Sequence, residues 1–145
     1  MKKSFTLIEI LVVATIIALL AGGGAVVYTQ LNINARDAKR KTDLEQIRAA
    51  LEMYRSNSND GKYPIGNGID TLSILVNNKY IQRIPKDPVY PDYTYFYRSD
   101  AGIGYTLAAQ LETNSSCNNP VPPITENSCG TKKSCNYCLG PYGQK

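Results

Sequence analysis

Lys2-Lys3-Ser4-Phe5-Thr6-Leu7-Ile8-Glu9 opens the chain, and an uncharged apolar run follows it to about Val27. About 20 consecutive apolar residues are what a ~30 Å hydrocarbon core requires. Phe5 to Tyr28 meets that length, and no charged residue occurs from Ile10 to Ala35. Glu9 is the exception. A carboxylate at the centre of a membrane helix costs roughly 2.5–3.5 kcal/mol on insertion scales, and less near an end. An acid in such a place asks for a partner.

The rest of the composition bounds what the segment carries. The chain has 145 residues and a net charge of +4. Subtracting the apolar segment leaves about 110 residues, enough for one modest core. A mild positive charge gives no indication of nucleic-acid binding. The chain has no His and no Trp. Ser-His and Cys-His nucleophiles are therefore excluded, as is the commonest metal ligand. All four cysteines lie between Cys117 and Cys138, which suggests a cross-linked segment in an oxidising compartment.

An ordinary signal anchor would explain the apolar run, and so would a secretory peptide cut near Gly22-Gly23-Gly24-Ala25. The stretch before the run is more specific. Ser4-Phe5-Thr6-Leu7-Ile8-Glu9 resembles the prepilin signature of type IV pilins and type II secretion pseudopilins. The resemblance implies a cut by a prepilin peptidase between Ser4 and Phe5, N-methylation of Phe5, and a leader of residues 1–4. Glu9 then matches the family's glutamate at the fifth mature position. Ser4 stands where the family nearly always has Gly, and it is small enough for a cramped cleavage site. Cleavage would leave a cationic amine on Phe5. In a filament that amine can meet the Glu9 carboxylate of a neighbouring subunit, and removal of either charge would strand the other.

Further along, Gly22-Gly23-Gly24 interrupts the apolar stretch. Each Gly costs up to ~1 kcal/mol of helix stability relative to Ala. Where many relatives have a proline, these glycines are expected to let the helix bend or unwind. A small-residue face for close helix packing is compatible with that role. From Asn32 to Ser56 an amphipathic helix is expected, with Leu44, Ile47, Leu51 and Tyr54 on one stripe. Asp43 is expected off that stripe. Glu45 with Arg48, and Glu52 with Arg55, read as local charge pairs. Arg36, Lys39, Arg40 and Lys41 read as a solvated helix face that can reach phospholipid headgroups. By the positive-inside rule they favour a cytoplasmic head; the prepilin signature and the clustered cysteines argue for the opposite side.

Asn57-Ser58-Asn59-Asp60-Gly61 and Pro64 end the helix. The helix sequence from Asp43 to Arg55, Gly61-Lys62-Tyr63-Pro64 and Tyr80-Ile81-Gln82-Arg83-Ile84-Pro85-Lys86-Asp87-Pro88 are similar to the major pseudopilin of type II secretion. That resemblance runs from about Lys2 to Glu112. Ile69 to Tyr80 reads as a short helix with Leu72, Leu75 and Val76 inward. Tyr93 to Arg98 reads as a strand, and Tyr105 to Leu111 as its hairpin partner with Tyr105, Leu107, Ala109 and Leu111 facing the helix. The family's calcium site is not carried over, because directly after Leu111 there is only Glu112 and then polar neutral residues. Thr113 to Lys145 is Asn-, Ser-, Pro- and Gly-rich and reads as loop. Cys117, Cys129, Cys135 and Cys138 fit two disulfides better than a zinc site, because Cys117 and Cys129 are too widely spaced for a common zinc ribbon. Three pairings are open.

The expected fold is therefore α+β: a long N-terminal helix on a small antiparallel sheet with a Cys-rich C-terminal region. The expected divisions are a leader (1–4), a transmembrane or filament-core helix (5–31), an amphipathic spine (32–56), a head (57–112) and a tail (113–145). No enzyme, cofactor or metal is expected. The resemblance implies a type IV pilus-like filament subunit or a secretion pseudopilin. Its implied partners are copies of itself, the prepilin peptidase, minor pilins, and a membrane assembly platform with its ATPase. The implied location is a cytoplasmic-membrane precursor with its head outside. The rival class is a membrane-anchored binding module that never polymerises.

Overall fold

The computed structural model describes residues 6–118, 120, 122–124, 128–131 and 134–144, apart from the side chains of residues 23–26. The expected processing residues Ser4 and Phe5 lie outside the described residues. The chain divides between Ala35 and Arg36 into two compact units.

Helix α1 spans Leu7–Asn57. It continues through Gly22, Gly23 and Gly24. In the first unit its described large apolar side chains are exposed. Leu7 is 81% exposed, and even Val12 is 48% exposed. A helix that is apolar all round needs lipid or other helices, and this one is long and apolar enough to cross a membrane.

In the second unit the expected stripe is the core. Leu44, Ile47 and Leu51 are fully buried, and Tyr54 packs against the same cluster. The sheet they meet has five strands in chain order: β1 (Gly66–Asn67), β2 (Phe96–Ser99), β3 (Thr106–Ala109), β4 (Tyr137–Gly140) and β5 (Gly143–Gln144). All neighbours are antiparallel. Period-2 alternation gives the sheet two rows. Tyr97, Leu107 and Leu139 are cross-strand partners and face the helix cluster. Phe96, Ala108 and Cys138 form the adjacent row, which belongs to a second cluster on the other face. Tyr105, Leu107, Ala109 and Leu111 all join the helix-side core, as their alternation predicts. A 3-10 turn (Ile69–Leu72) and helix α2 (Ser73–Asn77) bury Leu72 and Leu75 there, with Val76 half-buried.

The Cys-rich region departs from the loop reading. Its described residues are loop-like as far as Asn136, and it then supplies β4, which is buried along its whole length, and β5. Asn136 guides the chain in. Its backbone N–H donates to the Ala109 carbonyl at 3.1 Å. Its side chain accepts from the Leu111 N–H at 2.6 Å and donates to the Leu111 carbonyl at 3.0 Å. The disulfides are Cys117–Cys138 and Cys129–Cys135, with Cα separations of 5.3 and 5.2 Å. Both pack with Phe96, Ala108 and Ile124, so the cross-links form the second hydrophobic layer. Gly130 bridges Tyr93 in the same region. Its φ is +132°, and a Cβ there would lie 2.1 Å from the Asp92 carbonyl oxygen, so only glycine fits.

Candidate functional site

Two places carry chemistry: the start of α1, and the turns of α1 just after Ala35.

At the start of α1, Glu9 does have a partner within its own chain. The Thr6 backbone N–H and the Thr6 hydroxyl each donate to Glu9 Oε2 at 2.8 Å. The Glu9 N–H donates back to Thr6 Oγ1 at 3.3 Å. With Thr6 immediately before Leu7, the first helical residue, this is a capping box. It satisfies helix-end donors that lipid cannot satisfy. The Thr-x-x-Glu spacing is the sequence signal for it, one that the readings of the stretch as a membrane run, a cleavage signature and a filament contact do not use. Glu9 remains exposed, as do Ile8, Ile10 and Val13 around it. The carboxylate is thus positioned at the helix start with an apolar surface on either side.

The second place overturns the solvated-face expectation for Arg36–Lys41. The side chains of Arg40 and Asp87 are 0% and 1% exposed. Arg40 Nε and Nη2 donate to the two carboxylate oxygens of Asp87 at 2.7 and 3.1 Å. Nη1 donates to Asp37 at 2.7 Å and to Glu112 at 2.8 Å. The guanidinium plane also lies over the Tyr93 ring, 4.8 Å from its centroid. Arg36 makes its own two-point contact with Glu112 at 2.6 and 2.5 Å. Asp37 is capped from the other side by the Glu112 N–H at 3.0 Å, the Thr113 N–H at 2.8 Å and the Thr113 hydroxyl at 2.7 Å. A planar fork with five donors is the group suited to this density of carboxylates.

The electrostatics follow. Burial alone would lower the Arg40 pKa, but hydrogen bonds to Asp87, Glu112 and Asp37 carry it above the usual value. Burial would raise the Asp37 carboxyl, yet the Glu112 and Thr113 donors and Arg40 hold it below its ordinary range. The Arg36 hydrogen bond holds Glu112 low against a burial effect, with help from Arg40. The junction ties α1 to the loop before β2 and to the strand exit after β3. With two arginines drawn inward, the basic run presents to solvent chiefly Lys39, which pairs with Asp43 at 2.5 Å, and exposed Lys41.

Asp43 is likewise not on an open face. Its side chain is fully buried, and it accepts from the Tyr95 hydroxyl at 2.8 Å. Burial and the Asp43 carboxylate push the Tyr95 pKa up. The pair Glu45–Arg48 forms at 2.6 Å as expected. Glu52 and Arg55 instead converge on the Tyr63 hydroxyl, which donates to Glu52 at 2.9 Å and accepts from Arg55 at 3.1 Å. Among the described residues no group of three or more His, Cys, Asp or Glu is arranged to hold a metal ion.

An exposed apolar helix with a capped acidic start, continued into an α+β head, is the layout of a pilin-like subunit. Comparison with known proteins is consistent with this layout. Residues 1–25 match the family model of the prokaryotic N-terminal methylation motif, and residues 27–114 match type II secretion system protein G. The chain is 32% identical over 120 residues to the type II secretion system core protein G of Vibrio cholerae serotype O1, an alignment covering 74% of this chain and 81% of that protein. No solved structure matches. The chain belongs to the type II secretion system protein G family, a family of structural, pilin-like subunits rather than enzymes. The matched region ends at residue 114, so all four cysteines lie beyond it.

Proposed function

We propose that the chain is a filament subunit of the secretion-pseudopilus type. It is made as an inner-membrane precursor with its head outside the cytoplasm. The divisions of the precursor are a leader (1–4), a core helix (5–31), a spine (32–56), a head (57–112) and a tail (113–145). A prepilin peptidase cuts between Ser4 and Phe5 and methylates Phe5. A membrane platform and its ATPase, with minor subunits, then assemble copies through α1. The match of residues 27–114 to protein G carries this reading and favours the pseudopilus over a surface pilus.

Glu9 is the assembly acid. In the single chain Thr6 satisfies it. In the filament it takes the methylated Phe5 amine of a neighbour, and the charge pair sets axial register. A pair in a low-dielectric bundle is held firmly because separating it leaves an unpaired buried charge, at roughly 3–5 kcal/mol. Gly22, Gly23 and Gly24 allow the helix to deform during this transfer. The test is a pair of variants, Glu9→Ala and the triple Gly→Ala change at 22–24, assayed for membrane level and for sheared filaments. Normal membrane levels with lost filaments are expected for both. Filaments of normal yield from Glu9→Ala would refute the register role. A wild type that makes no filament yet retains a bound partner would favour the anchored binding module.

A further inference from the structure

The native pairing is nested: Cys129–Cys135 lies inside Cys117–Cys138. The unfolded chain favours a different pair. Cys135 and Cys138 are three residues apart, and loop-closure entropy makes the shortest accessible loop the quickest to close. The native fold works against that bond. Asn136 is hydrogen-bonded to Ala109, Tyr137 and Cys138 are held in β4 beside Ala109 and Ala108, and the two sulfurs are bonded to Cys129 and Cys117 instead. The order of synthesis points the same way. A chain delivered from residue 117 towards residue 138 presents Cys117 with Cys129 first, and Cys135 with Cys138 last.

We propose that maturation of the head requires thiol–disulfide exchange as well as oxidation, because the consecutive pairs Cys117–Cys129 and Cys135–Cys138 form first and must be rearranged to the nested pairs. In the first step two thiols lose two electrons and two protons to an external disulfide oxidant, which leaves as its dithiol. When only Cys135–Cys138 has closed, the Cys129 thiolate attacks Cys135 Sγ. The Cys129–Cys135 bond forms, the Cys135–Cys138 bond breaks, Cys138 leaves as a thiolate, and there is no net redox change. A second equivalent of oxidant then joins Cys138 to Cys117. When both consecutive bonds have closed, the chain holds no thiolate. An external thiol must then open one bond as a mixed disulfide and is released again when the nested pairs are complete. The driving force is the native packing: fully buried Cys129 and Cys138 complete the layer over Phe96 and Ala108 only in the nested pairing. The class of reaction placed before assembly is thus disulfide isomerisation by a thiol catalyst. The inference rests on the proposed function only for the compartment, not for the chemistry.

The test uses the full chain in detergent, so it does not depend on assembly. Reduced protein is oxidised with diamide, which leaves no free thiol, quenched by alkylation, and digested with trypsin. Cleavage after Arg98, Lys132 and Lys133 separates Ser99–Lys132, carrying Cys117 and Cys129, from Ser134–Lys145, carrying Cys135 and Cys138. Consecutive pairs give two separate peptides, each with an internal bond. Nested pairs give one cross-linked species, and further cleavage after Glu126 and Tyr137 tells it from the crossed pairing by leaving Cys117 joined to Cys138 and Cys129 to Cys135. The expected result is separate peptides after diamide alone, converting to the linked species on addition of reduced glutathione. A linked species as the main product of diamide alone, or separate peptides that persist after glutathione, would overturn the proposal.

Discussion

Replacing Arg40 with Met keeps most of the side-chain volume and removes the charge. The three carboxylates around it are not affected equally. Asp37 keeps the Glu112 N–H and both Thr113 donors. Glu112 keeps Arg36. Among the described residues Asp87 keeps only the Val89 N–H at 2.8 Å, with its side chain 1% exposed. Breaking a buried ion pair by removing one partner costs about 3–5 kcal/mol, and Asp87 places Arg40→Met in that range. With a urea dependence of ~1.5 kcal/mol/M, ordinary for a small domain, the midpoint should fall by about 2–3 M. Tyrosine fluorescence of the full chain in detergent reads the transition, since the chain has 11 Tyr and no Trp. Adding Asp87→Leu should recover a large part of the loss, because the stranded charge is gone. A fall of under about 0.5 M for Arg40→Met, or a double variant weaker than the single, would refute the claim that Arg40 is the internal counter-ion of the head.

Two further outcomes follow from the same residues and from the tail. Asp37 and Glu112 have folded pKa values below their ordinary 3.8 and 4.5. Their contribution to stability is therefore complete above about pH 4.5 and is lost as pH falls through the lowered folded values. Urea midpoints should drop from pH 5 to pH 3, and Glu112→Gln should show a shallower drop than wild type. Chain-entropy estimates give about 3.3 kcal/mol for the 21-residue separation of Cys117–Cys138 and about 2.2 kcal/mol for the six-residue Cys129–Cys135. The Cys117→Ser/Cys138→Ser variant should therefore melt lower than Cys129→Ser/Cys135→Ser, and hydrogen exchange should show faster loss of protection at Tyr137–Gly140.

The helix and the central hairpin were legible because their periods are unbroken. Leu44, Ile47 and Leu51 keep the helical spacing, and Tyr105 to Leu111 alternates. The junction was not, because charge alone suggests solvent. Yet Asp37 and Arg40 each stand seven residues, two helical turns, before Leu44 and Ile47 respectively, so the buried stripe runs back through them. A charge in register with an apolar stripe, with acids at Asp87 in the segment before β2 and at Glu112 just after β3, was the available signal. Strand β4 was hidden for another reason. Its four residues, Tyr137-Cys138-Leu139-Gly140, are too short for alternation to stand out, and its place in the sheet depends on the Asn136 contacts and the Cys117–Cys138 bond. At the other end, the Thr6–Glu9 capping box shows that the residue proposed for assembly also completes the start of the helix that carries it.

The central claim is that the chain is processed before Phe5 and works through the helix start this creates. Intact-mass and N-terminal peptide mass spectrometry of the membrane and filament pools tests it directly. A mature chain beginning at N-methylated Phe5 is the predicted result. A chain that retains Met1 to Ser4 in its working form would contradict the account, because the amine that Glu9 is proposed to meet would not exist.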